Sequence, residues 1–194
     1  MAADYEQLRA NLRRFYDFSG KSVICAGAGG GRLLDPTVKP KKFIAIDRDA
    51  AAIAGLAAMA MPFTIEFLCA KFEDVSLPCD VVYFEFCLHE MDDPDAAFAH
   101  ARTMASDIVV FDHLPDSKWS FYAAEENQVR RAAEAVERVG VKRRETFCTE
   151  QRFKDHAELA AKLASQGPVA IERAQDFAGM TNIVIPMPYG LALL

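Results

Sequence analysis

The sequence predicts an α/β fold in which helices cover both faces of a mostly parallel sheet. Five short apolar runs are strand candidates, at residues 22–26, 43–47, 63–68, 80–87 and 108–111. Stretches with helical spacing separate several of these runs, and parallel strands need crossover connections of that kind. The chain has 194 residues, of which 52% are hydrophobic, enough for one domain with a sizeable core. We therefore expect residues 1–194 to form a single three-layer α/β/α domain.

The helices of the N-terminal part have recognisable signals. Apolar residues at helical spacing predict a leading helix at residues 4–17. Asp49 is a good N-cap for a helix that continues to Met59, because a carboxylate accepts hydrogen bonds from the first free amides of a helix. Asp93 caps the next helix in the same way, and Pro94 fits its first position.

In the C-terminal part of the chain, the regular alternation of strands and helices changes. Residues 117–139 are predicted to form one long helix that Gly140 ends. Residues 155–158 (D-H-A-E) have the spacing of a capping box for another helix. Two late strands are expected at about 169–175 and 181–187. Because the link between them is too short for a crossover helix, this pair should be an antiparallel hairpin.

A glycine-rich turn followed by an acid indicates a nucleotide site. The strand at 22–26 runs into residues 27–31 (G-A-G-G-G), and the next strand ends at Asp47. Glycines allow a tight turn and a close approach of the backbone to a ligand. A carboxylate at the tip of the second strand can accept hydrogen bonds from both hydroxyls of a ribose. The pattern predicts a ligand that contains an adenosine.

Composition restricts the partners and the compartment. The net charge is −6 and no basic run exceeds residues 142–144 (K-R-R), so the footprint expected for long nucleic acids is missing. The sequence has neither a recognisable signal peptide nor an apolar run that could span a bilayer, which favours a cytoplasmic protein without a membrane partner. The five cysteines form no C-x-x-C pair, which favours reduced thiols over a zinc or disulfide role.

Together, these motifs resemble those of the class I S-adenosylmethionine-dependent methyltransferases, and the resemblance covers nearly the full chain. Residues 27–31 look like the glycine motif of that family, and Asp47 looks like its ribose-binding acid. Residues 88–94 (L-H-E-M-D-D-P) are similar to the segment after strand four in its small-molecule branch. The resemblance implies a Rossmann-like sheet of seven strands with an antiparallel C-terminal hairpin. It also implies S-adenosylmethionine as cofactor and S-adenosylhomocysteine as product.

The cofactor contacts that the resemblance implies lie near strand ends. They are Gly27, Ala28, Gly29, Gly31, Asp47, Arg48, Phe72, Glu73 and Glu85. Two positions depart from the family pattern. Cys25 stands where the family usually has an acid two residues before the first glycine, and Lys71 stands where an acid often meets the adenine amine. Phe72 can pack on the adenine face, with Glu73 or Asp74 as a substitute for the missing acid.

A nicotinamide dinucleotide is the rival cofactor. Its fingerprint is G-x-G-x-x-G, followed by an acid about twenty residues on. A motif that begins at Gly27 would need glycine or alanine at position 32, where this chain has Arg32. Because that side chain would obstruct helix packing and the pyrophosphate, we favour a methyltransferase over an NAD(P)-dependent oxidoreductase. A non-catalytic nucleotide-binding module is the third alternative.

The donor sulfonium of such an enzyme is already activated, so the expected mechanism is in-line displacement, driven mainly by proximity. His89 and His113 are the candidate bases if the acceptor must lose a proton. A metal site made of Glu85, His89, Asp112 and His113 would suit magnesium, manganese or iron. Asp112 and His113 match only in part the Asp-Asn pair of metal-dependent relatives, so no metal is predicted.

The acceptor is expected to be a small molecule. The leading helix and a helical insertion at about 114–153 should cover it, because this insertion interrupts the alternation of strands and helices. The apolar residues 187–194 are expected either to form a homodimer contact or to return to the core.

Overall fold

Seven strands pair into one sheet within the part of the chain that the computed structural model describes, residues 4–29, 37–59, 61 and 63–194. In chain order the strands are β1 (Ser22–Ala26), β2 (Lys42–Asp47), β3 (Ile65–Cys69), β4 (Val81–Glu85), β5 (Asp107–His113), β6 (Arg143–Asp155) and β7 (Thr181–Leu193). Their spatial order is β3-β2-β1-β4-β5-β7-β6. Strands β1 to β5 are parallel, whereas β7 runs antiparallel to β5 and β6. This sheet confirms the predicted Rossmann-like fold.

Helices cover both faces of the sheet, as predicted. They are α1 (Tyr5–Phe15), α2 (Ala50–Ala57), α3 (Pro94–Met104), α4 (Lys118–Tyr122), α5 (Glu126–Val139), α6 (His156–Leu163) and α7 (Pro168–Ala174). Side chains of α1, α2, α4, α6 and α7 share one core with Val23 and Cys25 of β1. Those of α3 and α5 share the opposite core with Ile24 and Ala26. Successive residues of a strand point to opposite faces, so β1 contributes to both cores.

The reversal of strand order beside β1 creates a crevice. From β1 the chain moves outward to β2 and β3 on one side, and then returns to β4 and β5 on the other side. The connections that leave β1 and β4 therefore diverge at the carboxyl ends of these two neighbouring strands. Ligands of open α/β sheets bind in a crevice of this kind.

Three predicted helix starts are confirmed by their capping hydrogen bonds. The Asp49 carboxylate accepts a hydrogen bond from the amide two residues on, at 2.8 Å. Asp93 and Asp155 each accept one from the amide three residues on, at 3.0 Å. These bonds satisfy amides that have no partner inside the helix.

The predicted single helix at 117–139 is wrong, because the chain breaks between α4 and α5. Ala124 has a left-handed backbone with φ of +60°, which a continuous helix does not contain. The Glu125 amide instead donates to the Ser120 carbonyl oxygen at 2.8 Å, and α5 begins at the next residue. The predicted stop at Gly140 is confirmed, since this residue caps α5 with φ of +92°.

The predicted strand at 169–175 is also wrong, because α7 covers this segment. Its residues Ala170 and Ala174 are buried, whereas Val169 and Ile171 are 47% and 43% exposed. The β-branched residues that suggested a strand therefore lie on the solvent side of a helix.

The antiparallel C-terminal pair is confirmed, but the partner of β7 is β6. The pairing extends from Arg143 opposite Leu193 to Asp155 opposite Thr181. Helices α6 and α7 lie between the two strands in the chain, so the pair is not a tight hairpin. Because β6 starts at Arg143, the helical part of the predicted insertion at about 114–153 ends with α5.

The apolar C-terminal residues return to the core. Strand β7 lies between β5 and β6, and Tyr189, Leu191 and Leu194 are fully buried. These side chains are therefore not a homodimer contact surface. A homodimer through another surface stays a prediction.

Two further findings concern the cysteines and the helices. All five cysteines are free, and Cys25 and Cys87 are buried. Among the described helices, none combines the length and the apolar character that crossing a bilayer requires.

We predict that Tyr189→Phe destabilises the fold. The Asn11 side-chain amide donates to the Tyr189 hydroxyl at 2.7 Å, and this buried bond attaches α1 to β7. Its loss leaves a buried amide without a partner, so the free energy of unfolding should fall by about 1–3 kcal/mol. Chemical denaturation measures the change. The control is Tyr122→Phe, whose hydroxyl lies 3.5 Å from an exposed Asp176 oxygen; equal losses in both variants would contradict the prediction.

Candidate active site

A cavity of about 700 Å³ lies at the crevice between β1 and β4. It is lined by each predicted cofactor residue that the structure describes: Gly27, Ala28, Gly29, Asp47, Arg48, Phe72, Glu73 and Glu85. His89 and His113 line it as well. Gly31 lies outside the described residues, and so does Arg32, on which the argument against a dinucleotide depended.

The turn after β1 requires glycine at position 27. Gly27 has φ of +59°, and a Cβ built on it would lie 2.3 Å from Cys87 Cβ. The Ala28 amide donates to the Ile46 carbonyl oxygen at 3.0 Å, which ties the turn to β2. The close approach to Cys87 means that the turns after β1 and β4 are in direct contact.

The Asp47 side chain faces the glycine turn from the end of β2. One carboxylate oxygen accepts a hydrogen bond from the Gly29 amide at 2.8 Å, and the other accepts one from the Asp49 amide at 2.8 Å. A carboxylate has about four acceptor positions on its two oxygens. The two remaining positions have no hydrogen-bond donor among the described residues and could serve a ligand in the cavity.

The positions that depart from the family pattern have different surroundings. Cys25 is fully buried and is not a cavity residue, whereas Lys71 is exposed and lines the cavity. Phe72 is 4% exposed, and its ring meets Phe84 and His100 edge-on, at centroid distances of 5.3 and 5.2 Å. The Phe72 ring therefore belongs to the core as well as to the cavity wall.

The turn after β4 is bonded to the strands on both sides. Phe86 has a left-handed backbone with φ of +47°, and its amide donates to the Phe111 carbonyl oxygen of β5 at 2.7 Å. The Cys87 thiol donates to the Ala26 carbonyl oxygen of β1 at 3.0 Å. This turn directly precedes His89, so its two anchors restrict where that histidine can lie.

His89 and Asp112 form a buried pair. His89 Nδ1 lies 2.6 Å from Asp112 Oδ1, and the His89 amide donates to Asp112 Oδ2 at 3.0 Å. Burial alone would lower the pKa of His89, but the Asp112 carboxylate, with Glu125 and Glu90, raises it to about 9. Burial would raise the pKa of Asp112, yet the contact with His89 keeps it below its ordinary value.

His113 and Glu125 complete a polar cluster with this pair. Burial, together with the nearby His89, lowers the pKa of His113 to about 4 against the attraction of Asp112. Burial raises the pKa of Glu125 to about 7, although His89 opposes this shift. The His89 and His113 ring centroids are 5.2 Å apart, and Glu125 Oε2 lies 3.8 Å from His89 Nε2.

Several cavity residues were not expected from the sequence. They are Glu125, Gln151, Lys162, Gln166 and Met187. Glu125 lies at the break that the sequence pattern did not reveal, and Gln151 lies on the unpredicted strand β6. The adjacent acids Glu125 and Glu126 before an amphipathic run are the one signal that could have indicated a helix start at this point. Tyr5 of α1 and Trp119 of α4 line the cavity, and their role as a cover for the acceptor stays a prediction.

A family model described as a methyltransferase domain matches residues 24–107, which extend from β1 to the start of β5. This segment contains the glycine turn, Asp47 and the turn after β4. This part of the chain is therefore similar to a methyltransferase domain, in agreement with the family that the sequence motifs resemble. The match supports S-adenosylmethionine as the cofactor, as the sequence predicted.

Solved structures share the fold of this methyltransferase over nearly its whole length. An S-adenosylmethionine-dependent methyltransferase from Mesorhizobium loti is 13% identical, with a TM-score of 0.57 and coverage of 97% of this chain and 100% of that chain. The YcgJ protein from Bacillus subtilis is 12% identical, with a TM-score of 0.65 and coverage of 97% and 96%.

A third similar structure contains the reaction product. The plantazolicin methyltransferase BamL, in complex with a triazolic desmethylPZN analog and S-adenosylhomocysteine, is 14% identical, with a TM-score of 0.54 and coverage of 97% of this chain and 87% of that chain. At these identities the likeness concerns the fold alone. No curated protein matches the chain by sequence.

We predict that Gly27→Ala destabilises the methyltransferase far more than Gly179→Ala. Both glycines have positive φ, of +59° and +75°, so alanine at either position should cost about 1–2 kcal/mol from the backbone conformation. Only at position 27 does the new methyl group collide with a neighbour, which adds about 1–3 kcal/mol. Urea denaturation of both variants measures the difference. Equal stability of the two variants would show that the turns after β1 and β4 are not in contact.

Proposed function

We propose that the protein transfers the methyl group of S-adenosylmethionine to a small-molecule acceptor by in-line displacement, mainly through proximity. The observation that carries the proposal is the Asp47 carboxylate, held at the glycine turn on the wall of a cavity of about 700 Å³. Cavities that bind small molecules have volumes of roughly 300–1,000 Å³. The cavity is therefore large enough for a nucleoside donor with a compact acceptor beside it.

The donor side of the cavity is the part bordered by the residues that follow β1, β2 and β3. On this side, the proposed donor contacts among the described residues are Gly27, Ala28, Gly29, Asp47, Arg48, Phe72 and Glu73, together with Glu85 at the end of β4. Gly31, which lies outside the described residues, stays a predicted contact. Glycines let the donor approach the backbone. The acceptor positions of the Asp47 carboxylate that no described residue occupies would take the ribose hydroxyls, while its two amide bonds keep it in place.

The acceptor side is the part bordered by the turn after β4, the end of β5, helix α4 and strands β6 and β7. It combines apolar side chains, Trp119 and Met187, with the polar Gln151. Gln151 Nε2 lies 3.1 Å from the Met187 sulfur, and Gln151 Oε1 is buried without a hydrogen-bond partner among the described residues. A buried carbonyl oxygen of this kind would bind a donor group of the acceptor. The chemistry favours a partly apolar acceptor with a hydroxyl or amine.

We further propose that His89 and His113 are the candidate bases if the acceptor must lose a proton, because both side chains line the acceptor side. The activated donor needs no further activation, so the main task of the site is to align the nucleophile with the methyl group and to exclude water.

The partners we propose are small molecules in the cytoplasm rather than long nucleic acids, since the net charge is −6.

We predict that S-adenosylhomocysteine binds with micromolar affinity and that Asp47→Ala weakens this binding. Hydrogen bonds to a charged group contribute about 1.5–3 kcal/mol, so the dissociation constant should rise by about 10- to 150-fold. Isothermal titration calorimetry measures both constants. The matched control is Glu66→Ala, which removes an exposed carboxylate from the middle of β3, where it pairs with Lys42. This control should bind the product as the parent protein does.

A parallel titration with NADH tests the oxidoreductase alternative, and it should give no binding heat. Mass spectrometry of the natively purified protein should detect a sulfur-containing nucleoside if the donor is retained. Binding of NADH in place of S-adenosylhomocysteine would overturn the proposal. If neither ligand binds, the non-catalytic module becomes the better description.

A further inference from the structure

Three side chains that commonly bind metals converge on the acceptor side of the cavity. One ring nitrogen each of His89 and His113 and one carboxylate oxygen of Glu125 all lie within 4.8 Å of one another. The three residues come from separate parts of the chain: the turn after β4, the end of β5, and the break between α4 and α5. We propose that this cluster binds one divalent transition-metal cation, with zinc as the best fit.

The spacing of the cluster suits a shared cation better than a direct hydrogen bond. His89 Nε2 and Glu125 Oε2 are 3.8 Å apart, which is too far for a hydrogen bond. Two ligand atoms that each lie about 2.0–2.1 Å from a tetrahedral zinc ion are about 3.3 Å apart. Side-chain movements of about 1 Å would therefore bring all three ligand atoms into coordination distance.

His113 has an unsatisfied ring nitrogen in this cluster. Its Nδ1 is buried and has no hydrogen-bond partner within the described part of the chain, and the residue as a whole is 9% exposed. A buried polar atom without a partner destabilises a fold by about 1–3 kcal/mol. Coordination of a cation through Nδ1 would give this atom the partner that the described residues do not supply.

Asp112 holds His89 in an orientation that suits coordination. Its carboxylate contacts both the His89 amide and Nδ1, so the other ring nitrogen, Nε2, points towards Glu125. Histidines that bind metals usually make such a bond from the second ring nitrogen to a carboxylate, which fixes the ring and strengthens the ligand. Asp112 is thus a positioning residue for the proposed site.

The donor set determines the class of cation. Imidazole nitrogens favour zinc, iron and cobalt, whereas magnesium and calcium prefer oxygen ligands. The two carboxylates of Asp112 and Glu125 compensate the double positive charge. Three protein ligands leave a fourth position for water or for another oxygen, nitrogen or sulfur atom. If the proposed function holds, this position would bind the nucleophilic atom of the acceptor and lower the pKa of its proton.

The test uses cobalt as a spectroscopic probe. The full-length protein is stripped with a chelator and titrated with Co²⁺, and the visible absorption and the calorimetric stoichiometry are recorded. We expect one ion per chain in the parent protein. Glu125→Gln and His113→Gln should each weaken binding by about tenfold or more, and Asp112→Asn by about 10- to 100-fold. Thermal unfolding of each variant confirms that it is folded.

Matched controls lie next to the cluster and at the start of α6. Glu126→Gln changes the adjacent acid, which is bonded to Arg173 rather than to the histidines, and His156→Gln changes a histidine at the start of α6. Both should bind Co²⁺ as the parent protein does. Absence of binding by the parent protein overturns the inference. Undiminished binding by both Glu125→Gln and His113→Gln also overturns it, because the exposed thiols of Cys69 and Cys148 would then hold the ion.

The same samples are titrated with S-adenosylhomocysteine. Binding of the product without binding of cobalt leaves the proposed function intact and rejects the metal site. Binding of cobalt without binding of the product supports the metal site and rejects the proposed function.

Discussion

The turn after β1 and the turn after β4 approach each other so closely that position 27 can carry no side chain. A methyl group there would lie 2.3 Å from Cys87 Cβ, and the Cys87 thiol bonds to the carbonyl oxygen of Ala26. This contact joins the two neighbouring strands at the point where their connections diverge. The glycine turn and the turn before His89 therefore cannot move independently. Both sides of the cavity share this one junction.

The junction also explains how a charged cluster forms in a buried place. The Phe86 amide donates a hydrogen bond to β5, and the Cys87 thiol donates one to β1. These two bonds place His89 next to Asp112. Asp112 then binds both the amide and the ring of His89. Burying a carboxylate is costly unless it is paired and hydrogen-bonded. Here the pairing orients an imidazole on the cavity wall, so the same contacts that stabilise the acid also arrange the site.

The sequence was sufficient for the parts of the fold that local patterns determine. Strands β1, β2, β4 and β5 are largely buried because helices cover both sides of them, and such strands appear as continuous apolar runs. Strand β6 carries charges along an exposed edge, and its pairing with β7 joins residues far apart in the chain. A local sequence pattern therefore does not predict the pairing of β6 with β7. In α7 the β-branched residues Val169 and Ile171, which are typical of strands, are exposed, whereas the buried face of this helix consists of alanines.

The same distinction separates the predicted site residues from Glu125. Asp47 and His113 are the last residues of strands and His89 follows one; because parallel strands end at one edge of the sheet, their convergence follows from topology. Glu125 reaches the cavity only because the helix breaks at Ala124. A left-handed alanine costs about 1–2 kcal/mol, a cost that a continuous helix would avoid. Strain of this kind is typical of functional sites. The break therefore lowers the stability of the fold, and it places the Glu125 carboxylate beside the imidazoles of His89 and His113.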